Sequence, residues 1–369
     1  MRQRIAIIGA ASGQYPLCLK AREMGLETYC FANIDGGCAP VVDHFVPISI
    51  LDKDDIVHFC RKAQITAVAT NASELTATIA AYVAEQLGLI GTSYQFLIKA
   101  HNKAYVRALA NTITELEPIQ YVVYNGSNDI YPCVVKPTEG SAKKGVSFVE
   151  NAAQFQDAIT YASVANTDIL IEEYVLGKEI SIECLSYQGV HHIIQITDKD
   201  SSGAPHFIEL GHHQPANIPN EIKSKICRTI PRLLSMLGYT NGPSHIECKY
   251  CGNKLYLIEA NLRGGGDNIS NVLVQLSTGI DYLKGILTVA LGTFTTQELE
   301  VQIKCFSGIY YLCSQTKDWL PFFQTAAQQP WFVEGQIYST DLHESHSNYE
   351  RDGYVIYQSS HKIIPLCNE

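Results

Sequence analysis

The chain has 369 residues, 46% of them hydrophobic and only 17% charged, with 27 Lys and Arg against 37 Asp and Glu for a formal net charge of −10. That apolar content supplies a sizeable core for about two or three domains, and it excludes a disordered chain or a coiled coil. The acidic balance excludes nonspecific nucleic-acid binding, which depends on cations that neutralise phosphates, but it leaves room for a local phosphate site.

Met1 to Ala10 carries a basic tip and a short apolar run. Gly13-Gln14-Tyr15-Pro16 follows at once, and no small-residue cleavage site closes the run, so a buried first strand explains it better than an export signal. No apolar run reaches the ~18–20 residues needed to span a bilayer. The chain therefore reads as cytoplasmic, without a membrane partner, and its 12 cysteines as reduced thiols scattered through the core. Cys248-Lys-Tyr-Cys251 lacks the second pair of a zinc ribbon and reads as part of a hairpin.

Residues 1–95 predict strands at Arg4–Ile8, Glu27–Ala32, Phe45–Ile48 and Ala67–Thr70. Helical patterns lie between them, one ending near Gly25 and others at Asp54–Lys62 and Glu74–Leu87. Such alternation predicts an α/β domain with a doubly wound parallel sheet. Its first turn, Gly9-Ala-Ala-Ser-Gly13, lacks the G-x-G-x-x-G spacing that a dinucleotide requires, which argues against a nicotinamide dehydrogenase.

Residues 96–300 read differently. Strands follow closely at Pro132–Lys136, Val146–Val149, Ile169–Tyr174, Glu179–Leu185 and His191–Thr197, with one helix at Ala152–Ala165. This predicts antiparallel sheets in an α+β domain. Ile218, Ile222, Ile226, Ile230, Leu233 and Leu237 mark the buried stripe of a helix. A hairpin near 244–262 and a helix around Asp281–Leu291 follow. Residues 301–369 read as a small C-terminal α+β lobe with strands at Phe306–Cys313 and Gly353–Gln358.

Three stretches of the middle domain carry chemistry. In Val134-Val-Lys136-Pro-Thr-Glu-Gly140-Ser141-Ala-Lys143-Lys144-Gly145-Val146, a strand delivers Lys136 into a loop of small residues with two more lysines. Glycines let backbone amides approach phosphate oxygens and lysines add charge, although the spacing is not a Walker A loop and an ordinary hairpin explains it equally well. In Leu170-Ile-Glu172-Glu173-Tyr-Val175-Leu-Gly177-Lys-Glu179, a strand enters a glycine-containing connection. Such a connection can offer backbone groups to an adenine edge and a carboxylate to ribose hydroxyls; two exposed glutamates near a turn explain it about as well.

The third stretch, His245 to Gly266, is the most informative. With a three-residue loop centred on Asn253, Glu247 faces Glu259 across the hairpin, and alternation sets Asn261 and Arg263 on that same face. Facing carboxylates repel unless a cation lies between them, and oxygen ligands with a shared phosphate suit Mg²⁺. A two-residue Gly-Asn turn would shift the register by one and separate them.

Taken in this order, the motifs resemble the ATP-grasp superfamily over roughly residues 1–300, particularly its carboxylate–amine ligases, most specifically in Glu-x-Asn-x-Arg with the upstream Glu. The resemblance implies ATP and Mg²⁺, with Mn²⁺ an acceptable substitute, and small-molecule carboxylate and amine substrates. Lys103, in Asn-Lys-Ala-Tyr-Val-Arg107, and Lys136 match the two ATP-phosphate lysines. The run Gly140, Ser141, Lys143, Lys144, Gly145 matches the mobile flap over the phosphates. Glu172, Glu173 and Val175 match the hinge that meets adenine, and Glu179 the ribose-binding carboxylate. Glu247, Glu259 and Asn261 match the metal ligands, and Arg263 the arginine that steadies an acyl phosphate. Leu262 stands where many members have proline.

Phe207-Ile-Glu209-Leu-Gly-His212 is similar to a substrate-facing segment of L-amino-acid ligases, and the resemblance implies Arg263, Gly265 and Gly266 as further substrate residues beside Glu209 and His212. The implied function is ATP-dependent amide formation through an acyl phosphate, giving an amino-acid or dipeptide-type product with ADP and phosphate released. The alternatives are carboxylation of a purine precursor without biotin, or a nucleotide-binding module without catalysis. A homodimer is compatible with either.

Overall fold

The computed structural model describes residues 2–140, 143–343, 345 and 347–365. The first unit is a four-stranded parallel sheet of β1 (Arg4–Ile8), β2 (Glu27–Phe31), β3 (His44–Val46) and β4 (Ala67–Ala69), in the order β3-β2-β1-β4. Both faces of β1 are buried, which is why it reads as a continuous apolar run and not as an alternating one. Ala6 and Ile8 pack toward α2 (Lys53–Lys62) and α3 (Glu74–Leu87), while Ile5 and Ile7 pack toward α1 (Tyr15–Glu23). The Ser73 side chain caps α3 by accepting from the Thr76 amide, and Gly88 ends it in the left-handed conformation.

Two short helices, α4 (Tyr94–His101) and α5 (Lys103–Ala110), lead into a small antiparallel sheet. It holds β5 (Tyr121–Val123), β6 (Cys133–Pro137), β7 (Ser147–Val149) and β8 (Ile169–Glu173) in the order β5-β8-β6-β7, with α6 (Phe155–Ser163) packed on β6 and β7.

The largest sheet has eight antiparallel strands in the order β13-β12-β9-β10-β11-β14-β16-β15. These are β9 (Lys178–Tyr187), β10 (Val190–Ser201), β11 (Glu209–Gln214), β12 (Gly242–Cys251), β13 (Lys254–Asn261), β14 (Phe306–Leu312), β15 (Phe332–Ile337) and β16 (Gly353–Ser359). The amphipathic helix α7 (Asn220–Met236) covers one face, its Ile222, Ile226, Ile230 and Leu233 buried against Ile180, Ile182 and Ile246.

The C-terminal strands β14, β15 and β16 continue the large sheet through β11, so they share its hydrogen-bonding. After β13 the chain forms a π-helical turn at Ile269–Leu273, then α8 (Val274–Thr278) and α9 (Tyr282–Leu291). α9 packs on the first sheet, burying Tyr282, Ile286 and Leu287 beside Ile5 and Leu17. Among the described residues no single helix is long and apolar enough to cross a membrane; the apolar pair Ile269–Thr278 and Tyr282–Leu291 is bent by 112°.

Candidate active site

The β12–β13 hairpin turns through Gly252 and Asn253 alone, since Cys251 pairs with Lys254. This corrects the three-residue loop. From there the regular register runs to Cys248 opposite Leu257, and carried on it would send Glu259 to the core face. A β-bulge between Glu247 and Cys248 absorbs Ile258, so that Glu247 pairs with Glu259 and His245 with Asn261. The facing carboxylates exist, but the bulge creates them and the turn does not.

The neighbouring strands bring further polar residues to that face. Lys249, Glu247 and His245 on β12 lie opposite Glu179, Ser181 and Glu183 on β9, and Glu179 lies opposite Lys199 on β10. A cleft of about 180 Å³ opens between this face and the small sheet. Lys103, Lys136, Gly140, Lys143, Lys144, Glu172, Glu173, Val175, Glu179, Glu247 and Glu259 all line it, bringing together most of the residues that the sequence singled out. Ser141 lies outside the described residues.

Ion pairs order the cleft. Lys103 Nζ is 3.3 Å from Glu259 and donates to the Gly140 carbonyl at 2.6 Å, tying the flap to the hairpin. Glu172 is buried between Arg107 at 2.6 Å and Lys136 at 2.5 Å. Burial alone would raise its carboxyl, but Lys136 and Arg107 outweigh that and hold it below its ordinary value. Its side chain therefore orients Lys136. Glu173 accepts from the Gln120 amide at 2.9 Å, and the Val175 carbonyl accepts from Lys249 at 3.2 Å. Lys249 also pairs with Glu179 at 3.2 Å.

Lys199 carries the chemistry least visible from its sequence neighbourhood. Its amine is 2.6 Å from Glu247 and 3.2 Å from Glu209. Burial opposes its charge, but Glu209 and Glu247 more than compensate and hold it above the ordinary value of a lysine. Glu209 is buried and Glu247 partly so, yet Lys199 foremost draws both carboxyls well below their ordinary values. Glu209 also meets Lys143 at 3.3 Å and His212 at 3.3 Å. His212 in turn lies 3.6 Å from Asp267, which Arg351 holds in a two-armed pair at 2.8 and 3.1 Å. On the other side of Glu247, His245 bridges it at 3.2 Å to the buried Glu183 at 2.5 Å. Lys199 thus joins the Glu247–Glu259 pair to the Glu209–His212 segment.

Some of the singled-out residues lie elsewhere. Arg263 is absent from the cleft wall: its guanidinium donates to the Gly264 carbonyl at 2.9 Å and lines a separate cavity of about 70 Å³. Burial first, and then the charge of Glu259, raise the Glu74 carboxyl, with Lys103 and Arg263 pulling it back, so these four groups form one neighbourhood beyond the hairpin. Gly145 packs against Pro137, outside the cleft. Asn261 is buried, and its Nδ2 has no hydrogen-bond partner. Gly265 and Gly266 line a different open cleft of about 450 Å³ with Asn71, Asp267 and Arg351. Gly265 donates to Glu183 at 3.2 Å, and a Cβ there would meet His245 Nδ1 at 2.8 Å, so the close approach requires glycine.

Residues 130–271 match the family model of the ATP-grasp domain. A D-alanine–D-alanine ligase from Flavobacterium johnsoniae is 29% identical over 136 residues, which cover 35% of this chain and 42% of that protein. The chain thus spans less than half the length of that relative. A formate-dependent phosphoribosylglycinamide formyltransferase from Sulfurisphaera tokodaii is 23% identical over 328 residues, covering 83% of this chain and 80% of that one. Among solved structures, an L-amino acid ligase from Bacillus licheniformis superposes with a TM-score of 0.81 at 23% identity, covering 98% of this chain and 94% of that one, and so shares its fold. With its strand order, its lysine-lined cleft and its facing carboxylates, the chain carries an ATP-grasp domain and resembles the ATP-grasp carboxylate–amine ligases.

Proposed function

We propose that this protein is an ATP-dependent carboxylate–amine ligase that forms an amide through an acyl phosphate and releases ADP and phosphate. The carrying observation is the cleft in which Lys103, Lys136, Lys143 and Lys144 surround one end of the facing Glu247–Glu259 pair. Four lysines and a glycine loop suit a polyphosphate. Two carboxylates and the Asn261 carboxamide, whose buried Nδ2 is unpartnered, form an oxygen-donor set of the kind Mg²⁺ or Mn²⁺ takes. A bound divalent ion would neutralise phosphate charge as phosphoryl transfer proceeds.

The chain's own residues supply positioning. Lys136 is held ready by Glu172 and Arg107, and Lys103 by Glu259. Lys143 and Lys144 cover the phosphates from the flap and exclude water, which would otherwise hydrolyse the acyl phosphate. Glu179 accepts from ribose hydroxyls. The substrate carboxylate attacks the terminal phosphorus, ADP leaves, and an amine then displaces phosphate from the acyl carbon. In this reading Arg263 steadies the acyl end, supported by its neighbourhood with Glu74 and Glu259. Glu209 and His212 face the substrates, supported by the link through Lys199 to Glu247.

The test is phosphate release with Mg-ATP against amino acids supplied singly and in pairs, with products identified by mass spectrometry. Pair-dependent release with an amide of matching mass is expected. Release without any amide, or release that depends on bicarbonate and needs no amino acid, overturns the ligase reading.

A further inference from the structure

All eleven cysteines among the described residues are free thiols, but they are not all scattered. The Sγ atoms of Cys18, Cys30 and Cys38 lie within 4.8 Å of one another, and all three residues are fully buried. They come from three parts of the first domain: α1, β2, and the segment just ahead of the short 3-10 turn Ala39–Val41. No other three cysteines among the described residues converge in this way.

Backbone oxygens complete the surroundings. The Cys30 thiol donates to the Gly9 carbonyl at 3.3 Å, and Cys38 Sγ is 4.0 Å from the Ala11 carbonyl. Gly9 and Ala11, with Gly36 and Gly37, also line an open cleft of about 1050 Å³ at the carboxyl ends of the parallel strands. The sulfurs therefore lie against the backbone that floors this open cleft. Buried single cysteines behave as small apolar side chains. Three sulfurs meeting around one point, with carbonyl oxygens beside them, form instead a donor set.

We infer that Cys18, Cys30 and Cys38 bind one divalent ion of the zinc class, with a backbone carbonyl of the Gly9–Ala11 turn in the fourth position. Thiolate sulfur is the ligand that selects such an ion over Mg²⁺. Zn–S bonds of about 2.3 Å place tetrahedral sulfurs about 3.8 Å apart, so closing from within 4.8 Å takes less than a rotamer change. On binding, three S–H bonds break, three metal–sulfur bonds form and three protons leave through the cleft. No electron is transferred, and the loaded site carries one net negative charge. The ion would pin α1 and β2 to the floor of the cleft, whatever reaction the second cleft carries out.

The experiment uses the full chain, purified under reductant and stripped of metal, titrated with Co²⁺ as a spectroscopic probe. One equivalent should produce an intense near-ultraviolet thiolate-to-metal charge-transfer band that Zn²⁺ abolishes by displacement. Ions held by Glu247 and Glu259 have no sulfur ligand and give no such band. Cys18→Ser, Cys30→Ser and Cys38→Ser should each weaken binding by at least about 10–100-fold. Cys60→Ser, on the opposite face of the same sheet, should bind as the unaltered chain does. X-ray absorption of the zinc-loaded unaltered chain should show three sulfurs and one lighter neighbour, which decides the matter even where a variant fails to fold. Absence of the band, a band indifferent to all three substitutions, or a shell of oxygen and nitrogen only would each overturn the site.

Discussion

Two glutamates in the cleft illustrate how neighbours divide one residue type into different roles. Glu259 is about one-third exposed and, among the described residues, its ion pair is with Lys103 at 3.3 Å, so replacing it strands little buried charge. Glu259→Ala should therefore leave the fold intact by circular dichroism while lowering Mg-ATP turnover by at least about 100-fold, because it removes one of the two carboxylates of the oxygen set. Near-normal turnover would refute the facing-carboxylate model. Glu172, by contrast, is a structural charge. Arg107→Met leaves it with Lys136 alone, and a loss of about 2–3 kcal/mol in denaturant melts is expected, short of the about 3–5 kcal/mol for a fully stranded ion. The pH dependence follows from the sign of the shift. Its carboxyl sits below the ordinary 4.5, so this stabilisation is complete above that pH and is lost as the pH falls through the depressed folded-state value. Comparing urea midpoints of the unaltered chain and Glu172→Gln from pH 6 downward should show the gap narrowing at acid pH; a constant gap would show that Glu172 does not contribute through its charge.

At the level of elements, the site depends on two local irregularities. The bulge at Ile258 lets Leu257 face the core and Glu259 face the cleft although they are two residues apart, a parity that regular pleating forbids. The other is Gly177, at the bend between β8 and β9 where the small sheet meets the large one. Its φ of +149° suits glycine, and a Cβ there would meet the Tyr250 carbonyl oxygen at 2.6 Å. Gly177→Ala should cost about 1–3 kcal/mol of stability and raise the KM for ATP more than it lowers kcat, since it displaces the hinge and leaves the carboxylate pair in place. An unchanged KM would argue that the hinge does not hold the nucleotide. These elements also show what could be read in advance. Alternation from a three-residue loop pairs Glu247 with Glu259, but the turn has two residues, and the pairing holds only through a bulge that has no local sequence signature. Lys199 lies two positions beyond the strand read at His191–Thr197, and an isolated lysine there gives no sign that it turns inward between Glu209 and Glu247. Arg351 could not have been placed: its partner Asp267 is 84 positions away and meets it only because β14 and β16 join the large sheet. The cysteine cluster was hidden for the same reason, since no spacing along the chain relates Cys18, Cys30 and Cys38.

For the whole molecule, the net charge of −10 and the cleft's lysines are compatible because the two operate over different distances. Exposed charges are screened within about 8 Å at physiological salt, whereas Lys136 and Lys199, buried beside carboxylates, are screened far less. Without ligand, those lysines are neutralised internally by Glu172, Glu209 and Glu247. In the proposed site, nucleotide binding would exchange protein ion pairs for phosphate contacts, and a divalent ion would favour that exchange by taking over the carboxylates that Lys103 and Lys199 release. ATP alone should consequently stabilise the chain less than Mg-ATP does. In thermal melts at 100-fold excess over Kd, Mg-ATP should add about 2.7 kcal/mol, while ATP with a chelator should add distinctly less. The Glu247→Gln/Glu259→Gln double variant should erase that difference, because it removes the groups that need the metal. A stabilisation by ATP that ignores both chelator and variant would place the nucleotide away from the hairpin and break the link between the lysine cleft and the carboxylate pair.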